Sequence, residues 1–494
     1  MKTKIIFIIQ SILIAILLTG CENLVDLKPI STISSSSFWE DENDVRSATF
    51  GMYNQFRSTF DVKMILWGEY RTGHYGQGSS TATDWNELWE NNLNTTTQGT
   101  NWSDMYLLIN DANLIISKTP DIPFNREDEK EHIIGQAYFV RAFTYFQIVK
   151  LWGDAPIVTE GFESTNQDLE PDRSPKSELF VQIKNDIENA IELLSESSSV
   201  NYIGKTVAYM LKADVYLWTA KLENGGQADL LAAQKAVDEV LSANYTLELV
   251  FESVFRNENS TEIIFSVFYS ELEPGTGGRN GSSGRSQTGT HPANIVLPSI
   301  ELTPPALREI APVIPASQWL NLSSWFTSNI LKSSNVDSRT NVTWQRVTSG
   351  GSSVSWINKY LGEVISGTRI PTSDLIIYRF AEAILFKAEI ENALDNSSEA
   401  LKYLNIIAKR AYSDENHYTT TDNVEIDNAI LDERILEFVL EGKSWYDILR
   451  FGKAFERIPS LIGKEGEKEG NILLFPVAQD VLNRNPNIIQ TEGY

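Results

Sequence analysis

Cysteine is almost absent from this chain of 494 residues, because Cys21 is its single cysteine. One cysteine excludes disulfide bonds within the chain, so packing and hydrogen bonds must stabilise its fold. Histidine is also scarce, and the four histidines are scattered at His74, His132, His291 and His417. The sequence holds no His-Glu-x-x-His motif, no Cys/His metal spacing and no G-x-x-x-x-G-K-[ST] loop. We therefore predict no metal site, and no local motif marks a catalytic residue.

Positive charge is in short supply as well. The chain has 41 Lys and Arg against 66 Asp and Glu, which gives a formal net charge of −25. This excess of negative charge repels phosphate backbones, so we predict no nucleic-acid partner. A neutral ligand or a basic protein surface remains compatible. Tryptophan, by contrast, is abundant, with 12 residues, and its position decides whether it packs in a core or stacks on a ligand.

The apolar run at the N-terminus, over 5–18, is too short for a transmembrane helix, which needs about 20 residues. Lys2 and Lys4 precede it, and Leu-Thr-Gly follows directly before Cys21. This order is typical of a lipoprotein signal. We predict that 1–20 is a signal peptide and that Cys21 becomes the lipidated first residue, which anchors the chain to a membrane outside the cytoplasm. The alternative is an ordinary signal peptide followed by a chance cysteine.

Composition divides the rest of the chain. The serine-rich stretch 21–37 predicts a lipidated tether, and 38–494 predicts one folded body. Within that body, helical periodicity dominates about 38–243 and about 374–494. The stretch of about 244–373 between them is rich in Gly, Ser and Pro, which predicts a loop-rich insertion.

The helical periodicity predicts a mostly α fold with a few short strands. Predicted helices cover 104–118, 127–152, 176–195, 204–223, 228–243, 374–393, 397–412 and 428–442, and a predicted strand covers 263–268. Two pairs of successive predicted helices, which begin at residues 204 and 374, mix small and large apolar residues. Hairpins of about 34 residues with this texture are typical of tetratricopeptide-like repeats. An ordinary helical hairpin is the alternative for either pair.

The most specific pattern lies in the C-terminal third. It begins with Arg-Phe-Ala-Glu-Ala at 379–383, continues as ERILEFVLEGKSWYDILRFG over 433–452, and ends with Asn-Pro-Asn at 485–487. In the N-terminal half, matching positions are Phe38, Trp39, Trp102, Tyr106, Asn113, Arg141, Ala142 and Tyr145. This order resembles the SusD/RagB family of outer-membrane nutrient-binding lipoproteins over nearly the whole chain. Thr491-Glu492 and Lys443-Ser444 depart from the commoner residues of that family.

The resemblance implies a function. Members of this family act as a lid on a TonB-dependent (SusC-like) transporter in the outer membrane, where they capture an oligosaccharide, or a peptide in the RagB-like branch, and deliver it to the pore. They perform no reaction and need no cofactor. The resemblance also implies tetratricopeptide-like hairpins with an irregular ligand-binding face. We therefore expect a lipid-anchored protein that faces the cell exterior and binds a glycan.

Helical spacing within the 433–452 block favours a structural role. Glu433, Arg434, Glu437 and Glu441 share one helix, on which Arg434 and Glu437 predict an i, i+3 ion pair. We expect Trp445 and Tyr446 to end this helix and to pack against the core. Acid–base catalysis by these carboxylates is the alternative.

Sugar binding needs aromatic rings for the C–H faces of the sugar and polar groups for its hydroxyls. The predicted loop 67–99 is rich in aromatic residues, and Trp85 is the leading candidate within it. The alternative is that Trp85 and Trp89, at i and i+4, pack on one helical face.

Three polar residues complete the predicted site. Asp41 and Asn43 stand at the mouth of the first helix, where helix capping is the alternative role. Arg369 lies in a loop of small residues, from which its guanidinium can fork onto two hydroxyls, and a plain surface arginine is the alternative. The combination of Asp41, Asn43 and Trp85 resembles fructan- or levan-binding members of the family.

Two rival functions remain. A surface glycoside hydrolase would need two carboxylates about 5–10 Å apart, and no local motif marks such a pair. A helical-repeat protein that binds peptides or partner proteins is the other rival.

Overall fold

The computed structural model describes residues 38–80, 85–164, 167–272, 291–332 and 336–494. The predicted signal peptide, the tether and Cys21 lie outside these residues, so the predicted boundaries there stay predictions. No helix in the described residues is long and apolar enough to cross a membrane.

The N-terminal half of the body is built from helices. In chain order its elements are α1 (Glu42–Phe60), α2 (Val62–Glu69), β1 (Tyr75–Gln77), α3 (Asn86–Trp89), α4 (Ser103–Lys118), α5 (Glu127–Trp152), α6 (Lys176–Leu193), α7 (Lys205–Leu222) and α8 (Gly226–Ser242). Helix α5 ends where Gly153 adopts a φ of 71°, a backbone conformation that glycine tolerates best.

Short elements follow in the next stretch of the chain. They are α9 (Ser253–Arg256), β2 (Ile263–Val267), α10 (Ala293–Val296), α11 (Pro305–Arg308), β3 (Leu320–Leu322), α12 (Ser324–Phe326), α13 (Thr340–Thr343), β4 (Trp344–Ser349), β5 (Ser352–Ile357), β6 (Glu363–Ile365), β7 (Thr368–Ile370) and β8 (Leu375–Arg379). The strands form antiparallel pairs, in which β1 joins β3, β2 joins β8, β4 joins β5 and β6 joins β7.

Helices return in the C-terminal part. They are α14 (Phe380–Ala393), α15 (Ser397–Tyr412), α16 (Asn423–Glu437), α17 (Ser444–Arg450), α18 (Ala454–Arg457) and α19 (Gln479–Arg484). Neighbouring helices pack as hairpins, namely α5 with α6, α7 with α8 and α14 with α15, and α14 also packs against α8. Helices on either side of the strand-rich stretch therefore form one scaffold. The predicted mostly α, tetratricopeptide-like fold is confirmed.

Three predicted elements differ from the structure. Residues 375–379 were expected in a helix but form β8, because their apolar, β-branched run pairs with β2 and all five side chains are buried. Helix α16 begins at Asn423, earlier than predicted, because the Asp422 side chain accepts hydrogen bonds from two backbone N–H groups of its first turn. Trp67, expected in a loop, lies in α2 and is 2% exposed.

The end of α16 also differs from the prediction. The helix stops at Glu437, and Leu440 and Gly442 follow with φ values of 62° and 73°. A Cβ atom on Gly68 of α2 would lie 2.0 Å from the carbonyl oxygen of Gly442. The chain therefore turns tightly against α2, and Trp445 begins a new helix, α17, instead of closing the previous one.

Charged side chains of the 433–452 block are buried in what we call the buried charge network. Arg379, which is 1% exposed, donates from Nη1 to Glu262 Oε1 at 2.7 Å and to Glu437 Oε1 at 2.6 Å. Its Nε donates to Glu441 Oε2 at 2.8 Å. Further members are Lys359, Arg339, Asp337, Glu433 and Arg410. The structural role predicted for the block agrees with this burial.

The predicted Arg434–Glu437 pair is wrong. Arg434 instead contacts Glu382 and Asp447, each at 2.9 Å. Glu437 is surrounded by other guanidinium groups, which lower its pKa well below its ordinary value although burial alone would raise it. Residues three apart on α16 thus point to different neighbours, because buried strands and helices on both sides supply partners.

Candidate ligand-binding site

Four aromatic rings meet in what we call the aromatic wall, formed by Tyr70, Trp85, Trp89 and Trp319. The ring centroid of Trp85 lies 4.9 Å from Tyr70, 6.3 Å from Trp89 and 5.6 Å from Trp319. The two Trp–Trp contacts are edge-to-face, an arrangement that ring quadrupoles favour. The wall therefore combines the segment after α2 with a segment more than 200 residues later in the chain.

Pairing of β1 with β3 brings the distant ring into place. Tyr75 pairs with Leu322 and Gln77 with Leu320, and the pairing continues as Gly78 N–H donates to the carbonyl of Trp319 at 2.8 Å. A Cβ atom at Gly78 would lie 2.3 Å from the carbonyl oxygen of Gln318. Only glycine allows this approach, so residue 78 helps to position Trp319.

The segment that carries Trp319 is also fixed from its other side. Gln318 Nε2 donates to the carbonyls of Val296 and Ser355, each at 2.8 Å. Asn321 Nδ2 donates to Ser355 Oγ at 3.0 Å and its Oδ1 accepts the indole N–H of Trp344 at 3.1 Å. Trp319 is thus presented by a hydrogen-bonded frame, as a pre-organised site requires.

Exposure differs among the rings of the wall. Trp85 is 6% exposed and donates its indole N–H to Gln98 Oε1 at 2.8 Å. Trp89 and Trp319 are half-buried, and the indole N–H of Trp89 has no partner among the described residues. Trp89 and Trp319 are therefore the more exposed members of the wall, while Trp85 and Tyr70 are buried. The packing of Trp85 against Trp89, which sequence left as an alternative, does occur.

A further exposed ring lies beyond β3. Trp325 on α12 is 39% exposed and stacks on His74 with an interplanar angle of 11°. Burial lowers the pKa of His74 to about 3, so this imidazole is neutral at ordinary pH. The Ser323 side chain accepts the N–H of Phe326 at 3.1 Å and holds the start of α12. This pair supplies an uncharged, flat surface next to the frame of the wall.

Asp41 and Asn43 lie at the start of α1. Asp41 Oδ1 accepts the N–H groups of Asn43 at 2.7 Å and Asp44 at 3.3 Å, and Asp44 completes a capping box. Asn43 Oδ1 accepts from Arg46 at 3.0 Å. A helix of 19 residues is about 28 Å long, and the segment that leads to the wall leaves its other end. The structure thus brings Asp41 and Asn43 together but places them away from Trp85.

Arg369 lies in a third place. It belongs to β7 in the β6–β7 hairpin, is half-buried and donates from Nη1 to the carbonyls of Leu361 at 3.0 Å and Gly362 at 3.3 Å. Burial lowers its pKa. In the described part of the chain, no hydrogen bond or ring contact joins Arg369 to Trp85, Asp41 or Asn43. The predicted site residues thus include one member of the wall, Trp85, and not Trp319, because the β1–β3 pairing that positions Trp319 is a long-range contact without a local signal.

No group of three or more His, Cys, Asp or Glu side chains in the described residues is arranged to hold a metal ion.

Comparisons with known proteins define the class. A family profile described as starch-binding and associating with the outer membrane matches residues 26–217, and the SusD family profile matches residues 317–494. A SusD-like protein of Formosa agariphila is 27% identical, and the starch-binding protein SusD of Bacteroides thetaiotaomicron is 24% identical. Each of these matches covers 100% of both chains.

Solved structures agree with these sequence matches. NanU of Bacteroides fragilis is 25% identical with a TM-score of 0.80, and the match covers 95% of this chain and 100% of NanU. A SusD superfamily protein of the same species is 26% identical with a TM-score of 0.76, covering 92% of this chain and 100% of that one. The chain belongs to the SusD/RagB family. The family points to surface glycan binding linked to uptake and to outer-membrane association.

Proposed function

We propose that this chain is a cell-surface lipoprotein that captures oligosaccharides and delivers them to a TonB-dependent transporter in the outer membrane. Family membership along the chain supports the class of function. The observation that carries the binding site is the aromatic wall, in which Trp89 and Trp319 are half-buried and contact Trp85. Aromatic faces of this kind are suited to the C–H faces of sugar rings.

Fructan or levan is the sugar class that we propose to test first. This choice rests on Trp85 together with Asp41 and Asn43. Since Asp41 and Asn43 stand at the far end of α1, they would contact a different part of a glycan from the wall. Their role, and that of Arg369, stays a prediction. Starch fragments form the second class, because a relative is named as starch-binding.

The glycan proposal is tested by calorimetry with the soluble chain from residue 22 onward. The probes are fructo-oligosaccharides, levan fragments and malto-oligosaccharides. We expect at least one class to bind, and Trp319→Ala to weaken that binding at least tenfold, about 1.4 kcal/mol. Tyr403→Ala is the matched control, because Tyr403 is also half-buried but lies on α15.

Two results would favour the alternatives. If no glycan binds but peptides do, the RagB-like peptide importer replaces the glycan proposal. If the purified chain releases reducing sugar from a polysaccharide, it is a glycoside hydrolase.

Membrane anchoring at Cys21 is tested separately in cells. We expect the wild-type chain to incorporate a labelled fatty acid and to fractionate with the outer membrane, and Cys21→Ser to lose both properties. Co-purification of a transporter barrel with the tagged wild-type chain tests the proposed partner. An unlabelled wild-type chain would exclude the lipid anchor.

A further inference from the structure

A cavity away from the aromatic wall, which we call the α1–β2 groove, lies between the middle of α1, the end of β2 and the turn before α7. Its volume is about 510 Å³, within the range of small-ligand sites. It shares no lining residue with the aromatic wall. Its described lining is Phe50, Tyr53, Asn54, Phe56, Arg57, Asn201, Tyr202, Phe265, Ser266, Val267 and Phe268. The groove is therefore a separate candidate site.

Exposed aromatic rings are concentrated in this groove. In the described part of the chain, four aromatic side chains are 39% or more exposed: Phe50, Tyr202, Phe268 and Trp325. The first three line the groove, with exposed fractions of 60%, 43% and 43%. Solvent exposure of large apolar rings is unfavourable, and such a concentration marks a binding surface.

The walls of the groove are held in place by contacts within the protein. Arg57 donates to Asn54 Oδ1 at 2.9 Å and to the carbonyl of Phe268 at 3.2 Å, which ties α1 to the end of β2. The ring of Tyr202 stands edge-on to Tyr53 at 5.4 Å. The cavity is therefore pre-formed, and a ligand would not have to order its walls.

The turn before α7 is fixed in the same way. Asn201 Nδ2 donates to Ser266 Oγ at 3.0 Å and to Asp374 Oδ2 at 2.6 Å. Ile203 N–H donates to the hydroxyl of Tyr53 at 3.0 Å. Backbone and side chains on both sides of the groove thus share one hydrogen-bonded frame.

The chemistry of the lining selects a type of ligand. Among the described lining residues none is acidic, Arg57 is the one cation, and the other polar groups are amides and hydroxyls. Rings combined with amide and hydroxyl groups suit a neutral molecule with apolar faces and many hydroxyls. We propose that the α1–β2 groove is a second binding site for a short neutral oligosaccharide. This inference rests on the proposed glycan-binding function and adds a site to it.

The experiment counts sites. Calorimetry counts bound sugars and sedimentation gives the oligomeric state, with fructo-oligosaccharides and malto-oligosaccharides as probes. The proteins compared are the wild-type chain, the wall variant Trp319→Ala, the groove variant Phe50→Ala/Phe268→Ala and a combined variant with all three substitutions. Both groove rings are at least 43% exposed, so their truncation should leave the fold intact. Leu249→Ala is the matched control, because Leu249 is 93% exposed and lines neither site.

We expect the wild type to bind two oligosaccharides per chain. Trp319→Ala should bind one, and Phe50→Ala/Phe268→Ala should also bind one. The combined variant should bind none, and Leu249→Ala should bind two. A wild-type stoichiometry of one that Trp319→Ala abolishes and the groove variant leaves unchanged would overturn the groove site while the proposed function stands.

Two other results also overturn the inference. If the groove substitutions convert a dimer to a monomer without changing the stoichiometry of sugar binding, the groove is a contact between copies. If the wild type binds none of the probes, the proposed function and the groove site both fail.

Discussion

In the buried charge network Arg379 is 1% exposed and hydrogen bonds to three carboxylates, whereas in the aromatic wall Trp319 is only half-buried. Both regions join distant parts of the sequence. Glu262 and Arg379 are far from Glu437 along the chain, as Trp85 is from Trp319. The two regions use long-range contacts for different purposes.

The difference lies in what happens when a partner is lost. A buried charge without its partner has a large desolvation penalty, so the network stabilises the fold only as a complete set. The half-buried ring of Trp319 carries no charge, so loss of a neighbouring ring would not leave an unpaired ion in the core. We conclude that the 433–452 block holds the scaffold together, whereas the wall is the region that we propose contacts the ligand.

The largest expected effect is on the network. Arg379→Met leaves Glu262, Glu437 and Glu441 short of a partner and should lower the free energy of unfolding by about 3–5 kcal/mol. Urea unfolding measures this change. The control Arg126→Ala breaks an exposed pair with Asp128 and should have no measurable effect. If Arg379→Met lowered glycan affinity without lowering stability, the division between the two regions would be wrong.

The second effect tests how the wall is assembled. Gly78→Val forces β1 away from Gln318 and should shift Trp319, so glycan affinity should fall at least tenfold with a smaller loss of stability than in Arg379→Met. Gly76→Ala is the matched control, because its Cβ would meet nothing closer than 3.9 Å. Calorimetry and thermal unfolding measure both variants. If Gly78→Val and Gly76→Ala bound the glycan with equal affinity, β1–β3 pairing would not position the site.

The third effect is the pH dependence of stability. Burial raises the pKa of Glu389, but Arg450 and Lys221 outweigh it and hold this pKa at about 2. Its unfolded value is about 4.3, so its stabilising effect is present above that pH and is lost as the pH falls toward 2. The thermal midpoint should therefore drop steeply below about pH 4, which a pH series of melting curves would reveal.

Glu69 has the opposite effect. Burial raises its pKa to about 7, so the folded chain binds a proton that the unfolded chain releases above about pH 4.3. Stability should fall as the pH rises from about 4.3 to 7 and then level off. Glu69→Gln keeps an acceptor for the N–H groups of Gly442 and Lys443 and should reduce this slope. An unchanged slope would remove Glu69 as its source.

The smallest effect concerns the start of α1. Asp41→Ala removes the helix cap and should lower the free energy of unfolding by about 1 kcal/mol, with unchanged glycan affinity at the wall. Asp41→Asn keeps the cap and serves as the control. A loss of affinity in both variants would make Asp41 a glycan contact, as its sequence pattern predicted.

Much of the scaffold was predictable from sequence. Helices α4, α5 and α15 begin and end within one residue of their predicted bounds, because their apolar periodicity and terminating residues are local. The strand β8 was missed, because its buried run looks the same in a helix as in a strand until its partner β2 is known. Likewise, Arg434 has i, i+3 geometry with Glu437, but its partners Glu382 and Asp447 lie elsewhere in the chain.

Sequence alone determined the helical class, the family pattern over 379–383 and 433–452, and the candidate Trp85, because periodicity, capping and motif order are properties of neighbouring residues. Tertiary structure decided that Trp85 is a buried ring beside Trp89 and Trp319, that Asp41 caps a distant helix end, and that three exposed rings gather in the α1–β2 groove. Those outcomes depend on strand pairing and helix packing between segments up to hundreds of residues apart, and no local pattern specifies such contacts.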